Sequence, residues 1–180
     1  MTLRSNSIGL IFCALLALVA IKLLGGDFER VAALLPNIKI AAAESAVDPY
    51  LLAGLVFAES RGQADALSSV DASGYCQLLP STAAEVAGKM KISGPPYSPQ
   101  DNLRMGAFYL AQMTRRWDGD KVLGLLSYRL GAGRVSRNIK EHGSSAIYID
   151  SMRGKAKTPL SYVEQILDYQ QRFADYDQDH

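Results

Sequence analysis

An almost unbroken apolar run over residues 8–20 opens the chain, prolonged by Ile21, Leu23 and Leu24 and interrupted by Lys22. Its roughly 13 to 17 apolar residues fall between a signal-peptide core and a full membrane span of about 20, so residues 1–25 are predicted to be a signal peptide or membrane anchor. No small-x-small cleavage site follows directly. An uncleaved anchor is therefore expected, with Arg4 on the cytoplasmic side and the remaining chain outside. A buried core helix is the poorer reading, because the run lacks a polar face.

From Phe28 onward the apolar spacing is helical, and no window alternates long enough to predict a sheet. A linker and first helix are expected over residues 26–46. Asp48 and Pro49 then predict an N-cap followed by proline at the first helical position, opening a helix to about Ser60 that stops near Gly62. Leu52, Leu55 and Val56 recur at i, i+3 and i+4, and the next member of that series is Glu59. A carboxylate closes the apolar stripe. The polar, turn-rich residues 63–74 lead into Tyr75 and Leu79 as a small hairpin or an irregular loop. Pro80 opens a helix to about Met90, with Thr82 and Glu85 at capping-box spacing. After a proline-rich loop, a longer helix over residues 101–117 sets Leu103, Gly106, Ala107, Leu110, Met113 and Trp117 on one face. Asp120 caps a helix that carries Leu125, Leu126 and Tyr128 and ends at Gly131, and a short helix follows over 135–142. Thr158 and Pro159 start the last helix, with Val163, Ile166, Leu167 and Phe173, ahead of an acidic tail over 175–180 that is predicted to fray. The expected fold is mainly α, with at most a small hairpin, preceded by the N-terminal apolar segment.

Composition narrows the function more than the fold. In 180 residues, 19 basic and 18 acidic side chains leave a net charge of +1, and they are interspersed rather than gathered into a basic stripe. Nucleic acid is a poor partner for such a surface. The length suits one compact domain with a tail or anchor, not two domains. Cys13 lies in the apolar run and Cys76 in the folded part, which argues against a disulfide and makes Cys76 a buried, inert thiol. His142 and His180 have no Cys, His or Asp partners at ligand spacing, so no metal and no cofactor is expected.

Glu59 is the candidate for chemistry. Burial against apolar neighbours disfavours the charged carboxylate, and the negative end of a helix dipole acts in the same direction. A proton donor near neutrality results, which is what cleavage of a glycosidic bond requires at the leaving oxygen. The alternative is a side chain at a frayed helix end that points into solvent.

A series of short motifs surrounds that residue: Glu59-Ser60, Ser68, Gly74-Tyr75-Cys76-Gln77, Pro80-Ser81-Thr82-Ala83, Gln100-Asp101-Asn102-Leu103, Gly106 with Tyr109-Leu110, and Tyr128 with Gly131. Together they resemble the soluble lytic transglycosylase domain family, an α-rich, lysozyme-like fold. The resemblance covers about half of the chain, over residues 47–135, and residues 158–169 look like the family's closing helix; the domain is expected over 47–174. Its specificity lies in spacing, since from Glu59 to Ala83 the family's elements fall in register without a gap.

The resemblance implies non-hydrolytic cleavage of the β-1,4 bond between N-acetylmuramic acid and N-acetylglucosamine in peptidoglycan, with formation of a 1,6-anhydro sugar and with Glu59 as general acid and then base. It also implies that Ser68 and Gln77 line the cleft beside Glu59, that Tyr128 hydrogen-bonds near its carboxyl group, and that Tyr162 is the tyrosine of the last helix and binds substrate. Four departures stand out. Cys76 replaces a methionine, Arg129 replaces an asparagine after Tyr128, and Thr158 stands where a glutamate often precedes the last-helix tyrosine. Asp71 occupies the position of a turn glycine. Read as a residue that tolerates a left-handed turn it is structural; read as a second carboxylate facing Glu59 it points to a hydrolytic muramidase. A non-catalytic, membrane-anchored glycan-binding or scaffold protein is the third reading. The expected setting is periplasmic or otherwise extracytoplasmic, at the inner membrane, with an envelope-spanning secretion or conjugation apparatus as a candidate partner.

Overall fold

Proline and short polar side chains mark where the helices begin. The computed structural model describes residues 26–180, so the anchor expected over residues 1–25, with Arg4 and Cys13, lies outside the described residues. Residues 26–32 are helical. They are followed by α1 (Leu35–Ser45), α2 (Pro49–Ser60), α3 (Pro80–Met90), α4 (Pro99–Arg115), α5 (Lys121–Leu130), α6 (Ala132–His142), α7 (Ser145–Asp150) and α8 (Pro159–Asp179). The Asp48 carboxylate accepts from the Tyr50 and Leu51 amides at the start of α2, Ser98 from Asp101 at α4, Asp120 from Leu123 at α5, and Thr158 from Ser161 at α8. Each cap satisfies amides that the first helical turn leaves unpaired. At the other end, Gly143 adopts φ 87° and closes α6, a conformation that glycine takes without a Cβ clash.

Several expectations need correction. No side chain caps α3: Pro80 takes the first helical position after Leu79, which leaves Thr82 inside the first turn rather than at its head. The segment read as a hairpin or loop holds only isolated bridges, Leu67 to Ser73 and Ser73 to Leu78, and no strand is present among the described residues. Helix α7, capped by Ser144, was too short for its periodicity to stand out.

The acidic tail is not frayed. Helix α8 continues to Asp179, because the Asp177 carboxylate accepts from Lys39 Nζ at 2.7 Å and from Tyr50 Oη at 2.8 Å. Nor do residues 26–46 behave as a linker. Phe28 stacks on Phe173 with centroids 4.4 Å apart, and Val31, Leu35 and Ile38 join the buried core of the remaining chain.

Helix α2 is the axis of that core. Its residues Leu51 to Phe57 are all buried, so the apolar stripe predicted there is a helix enclosed on all sides, with α1 and α8 both packed on it. A helix apolar all round belongs in an interior. Its approach to α8 depends on Gly54, where an added Cβ would stand 2.5 Å from the Ile166 carbonyl oxygen. Helix α1 packs on α4, α4 on α5, and α5 on α6 and α8, which completes the wall around the end of α2. No single helix among the described residues is long and apolar enough to cross a membrane.

Replacing Gly54 with alanine sets a methyl group against backbone that cannot move aside. Despite alanine's better helix propensity, Gly54→Ala is expected to lower the unfolding free energy by about 1–3 kcal/mol. Urea denaturation checks this, and a midpoint at or above wild type would show that α2 and α8 separate without cost.

Candidate active site

Where α2 ends, the chain turns sharply and leaves its last carboxylate at the edge of the core. Arg61 terminates the helix at φ 54°, while Ser60 Oγ donates to the Val56 carbonyl and accepts from the Gly62 amide, which fixes the corner. Glu59, one residue earlier, faces a cavity of ≈ 620 Å³ that Ser68, Gln77, Tyr109, Tyr128 and Arg129 also line. Its side chain is partly buried and does not project freely into water. Burial pushes the Glu59 carboxyl above its ordinary proton affinity, against the opposing pull of the Tyr162 hydrogen bond and the Arg129 charge. The solvent-facing alternative is thereby corrected.

The phenol of Tyr162 reaches Glu59 from α8: its Oη donates to Glu59 Oε1 at 2.5 Å. Expectation had given a bond near the carboxyl group to Tyr128. Instead Tyr128 Oη donates to the Cys76 carbonyl at 2.8 Å and braces the loop from below, while its ring lines the cavity. Tyr128 is buried and Tyr162 partly so, and desolvation holds both phenols well above their usual pKa. Tyr162 therefore enters the site as a neutral hydrogen-bond donor.

The loop between α2 and α3 is held by interactions that individual motifs do not reveal. From α4, Asn102 accepts from the Cys76 amide at 2.8 Å and donates to the Ser73 carbonyl at 3.1 Å. Gly74, at φ 76°, leaves room for this contact, since a Cβ there would stand 2.6 Å from the Asn102 side chain. Gln77 Nε2 donates to the Ala66 and Gly74 carbonyls, so its amide nitrogen is committed to the loop and its carbonyl oxygen is left for a ligand. Ser68 Oγ accepts from the Val70 and Ala72 amides, which leaves its hydroxyl hydrogen free to donate.

Asp71 sits at the corner of that loop, exposed, at φ 60°. Val70 and Ala72 line the cavity, whereas Asp71 does not. This is the left-handed turn residue, and the reading of Asp71 as a second carboxylate facing Glu59 loses its geometric basis. Cys76 likewise lies beneath the cleft rather than in it: it is fully buried against Gly106, and burial drives its thiol far up from its usual range. The smaller residue fits a place where α4 offers only a glycine.

Arg129 is the residue that sequence reasoning left out of the site. Its guanidinium carbon lies 4.6 Å from the centre of the Tyr162 ring, and its charge stabilises the Glu59 carboxylate. The available signal was the departure itself, a cation one position after Tyr128. Among the described residues no group of three His, Cys, Asp or Glu side chains is placed to hold a metal.

Residues 36–151 match the Transglycosylase SLT domain family. The soluble lytic murein transglycosylase of Escherichia coli (strain K12) is 30% identical over 113 residues, which cover 57% of this chain and 17% of that protein. Membrane-bound lytic murein transglycosylase C of Actinobacillus pleuropneumoniae serotype 5b (strain L20) is 32% identical over 131 residues, 65% of this chain and 36% of that one. The chain thus spans well under half the length of these relatives. Among solved structures, an inactive mutant of the lytic transglycosylase Slt from Pseudomonas aeruginosa superimposes with a TM-score of 0.69 at 26% identity, over 79% of this chain and 24% of that one.

Both Tyr162→Phe and Arg129→Gln remove a group that favours ionised Glu59, so each variant should hold the Glu59 proton to higher pH. Carbon-13 NMR titration of the Glu59 carboxyl is expected to show an upward shift in both variants. An unchanged titration in both variants would mean that burial alone governs this group.

Proposed function

The chain belongs to the transglycosylase SLT domain family, and on that footing we propose that it is a lytic transglycosylase, cutting the β-1,4 bond between N-acetylmuramic acid and N-acetylglucosamine of peptidoglycan without water. The observation that carries this reading is one carboxyl group, Glu59, partly buried in a cleft, its proton affinity raised by burial and its Oε1 held by the Tyr162 hydroxyl. The names of the relatives, murein transglycosylases, support the choice of polymer.

Protonated Glu59 gives its proton to the glycosidic oxygen as the bond from C1 of the muramoyl sugar breaks. The substrate's own acetamido oxygen stabilises the positive charge left on C1. Glu59, now a carboxylate held by Tyr162, takes the proton of the C6 hydroxyl while O6 closes on C1. A 1,6-anhydro ring results, the acid is regenerated, and one carboxyl group serves both steps. Hydrolysis by paired carboxylates needs a second acidic group across the cleft, and the position of Asp71 argues against that role.

Other side chains fall into supporting roles in this reading. Ser68 and the carbonyl oxygen of Gln77 meet the sugar path, Tyr128 shapes the floor, and Tyr162 orients the acid and contacts substrate. The domain over residues 47–174, with residues 26–46 packed on it, works outside the cytoplasm, held at the membrane by the apolar segment over residues 1–25. Such a small anchored enzyme suits local opening of the wall for an envelope-spanning secretion or conjugation apparatus.

Mass spectrometry of peptidoglycan digested by wild type and by Glu59→Gln tests the reaction. Anhydromuropeptides are expected from the first, and a loss of at least about 100-fold from the second. Reducing ends instead would identify a hydrolase, and binding without any product would identify a glycan-binding protein.

A further inference from the structure

At the Arg129–Tyr162 pair the surface also opens into a second cavity of ≈ 440 Å³, which neither Ser68 nor Gln77 lines. Its volume lies within the range of ligand sites. Arg129 lines both cavities, and Tyr162, which holds Glu59 Oε1, lines the second. Two of the side chains around this hollow are cations, Arg129 and Lys157, and none is acidic; Thr158, Ser161 and Gln165 add polar groups. Neither cation forms an ion pair among the described residues, so both charges are available to a ligand. The carboxyl group that the Arg129 charge acts on is Glu59, which must be protonated to act as an acid. Two unneutralised cations around one hollow next to the acid make it a site for a negative ligand.

We propose that this second cavity is a carboxylate subsite, in which Arg129 and Lys157 bind a carboxylate of the muramoyl unit next to the bond being cut. The inference rests on the peptidoglycan reading above. Peptidoglycan offers that chemistry from two sources: the lactyl group of the muramoyl sugar when the strand is free of peptide, and the carboxylates of the stem peptide when it is not. Arg129 provides a planar, two-pronged donor suited to a carboxylate, while Lys157 provides a point charge. Stacking on Tyr162 holds the guanidinium without consuming its N–H groups. A carboxylate bound there also draws positive charge away from Glu59, which favours the protonated acid when substrate is present.

The test measures KM and kcat for the full-length chain on peptide-bearing strands, on strands stripped of peptide, and on both after their carboxylates are capped as methyl amides. Wild type is expected to lose about five-fold in KM on capped strands, the effect of one partly exposed charge pair. Lys157→Gln, which leaves Arg129 in place, should show part of that rise on uncapped strands and the same KM as wild type on capped ones, and Lys157→Arg should restore wild-type KM. Loss on stripping alone assigns the stem peptide as the source, and loss only on capping stripped strands assigns the lactyl group. Indifference of wild type to capping overturns the subsite, as does a Lys157→Gln effect of equal size on capped strands. If the wild-type chain releases no product, the catalytic reading fails separately. The subsite is then judged by calorimetric titration with N-acetylmuramic acid, a muramoyl tripeptide and their methyl amides: binding of an acid but not its amide upholds it, and equal binding or none overturns it.

Discussion

Everything at the cleft depends on how closely α2 and α8 approach one another. Gly54 lets the Ile166 carbonyl come within 2.5 Å of where a Cβ would stand, and the same pair of helices brings Tyr162 to Glu59. Glu59 lies five residues beyond Gly54, and Tyr162 four residues before Ile166, so the two side chains project from roughly equivalent depth along the helices at about 1.5 Å per residue. The pairing of Asp48 with Gln170 at the opposite end of α2 continues the same order. A methyl group between the helices would displace the hydrogen bond on which the acid's orientation rests.

That constraint explains why so much of the chain is devoted to one carboxyl group. The α2 helix is buried on every side, which is costly to arrange in a chain of this length, and it becomes polar only where it meets the cleft. Burial favours the proton on Glu59, while Tyr162 and Arg129 favour its loss. In the proposed reaction, where the group gives up a proton and then takes one back, this opposition serves it, since neither form is held too strongly.

Loop 61–79 follows a different logic. Few of its residues are packed, and its shape comes from backbone groups satisfied by side chains of other elements: Asn102 from α4, Tyr128 from α5, and its own Gln77 and Ser68. Five residues in positive-φ conformations, Arg61, Gly62, Asp71, Gly74 and Gln77, bend it around the cavity. Ser68 and Gln77 do both at once, holding backbone groups of the loop while lining the cavity.

The helices with strong caps were legible from residues alone, because Asp48-Pro49, Asp120 and Thr158-Pro159 act within one turn of themselves. Glu59, at the end of α2, and Ser68 and Gln77, in the loop that follows it, were singled out through a resemblance of spacing, and all three line one cavity. Three matters belonged to tertiary structure. Tyr162 takes the bond to Glu59 and Tyr128 does not, because that choice depends on which helix crosses α2, 103 residues away in the chain. The acidic tail is helical because Lys39 and Tyr50, on distant helices, neutralise and anchor Asp177. Asp71 leaves the cleft because the turn rotates alternate residues outward. Local sequence determines caps, turns and apolar periods; which polar groups meet across helices is set by their packing, and no spacing rule carries that information.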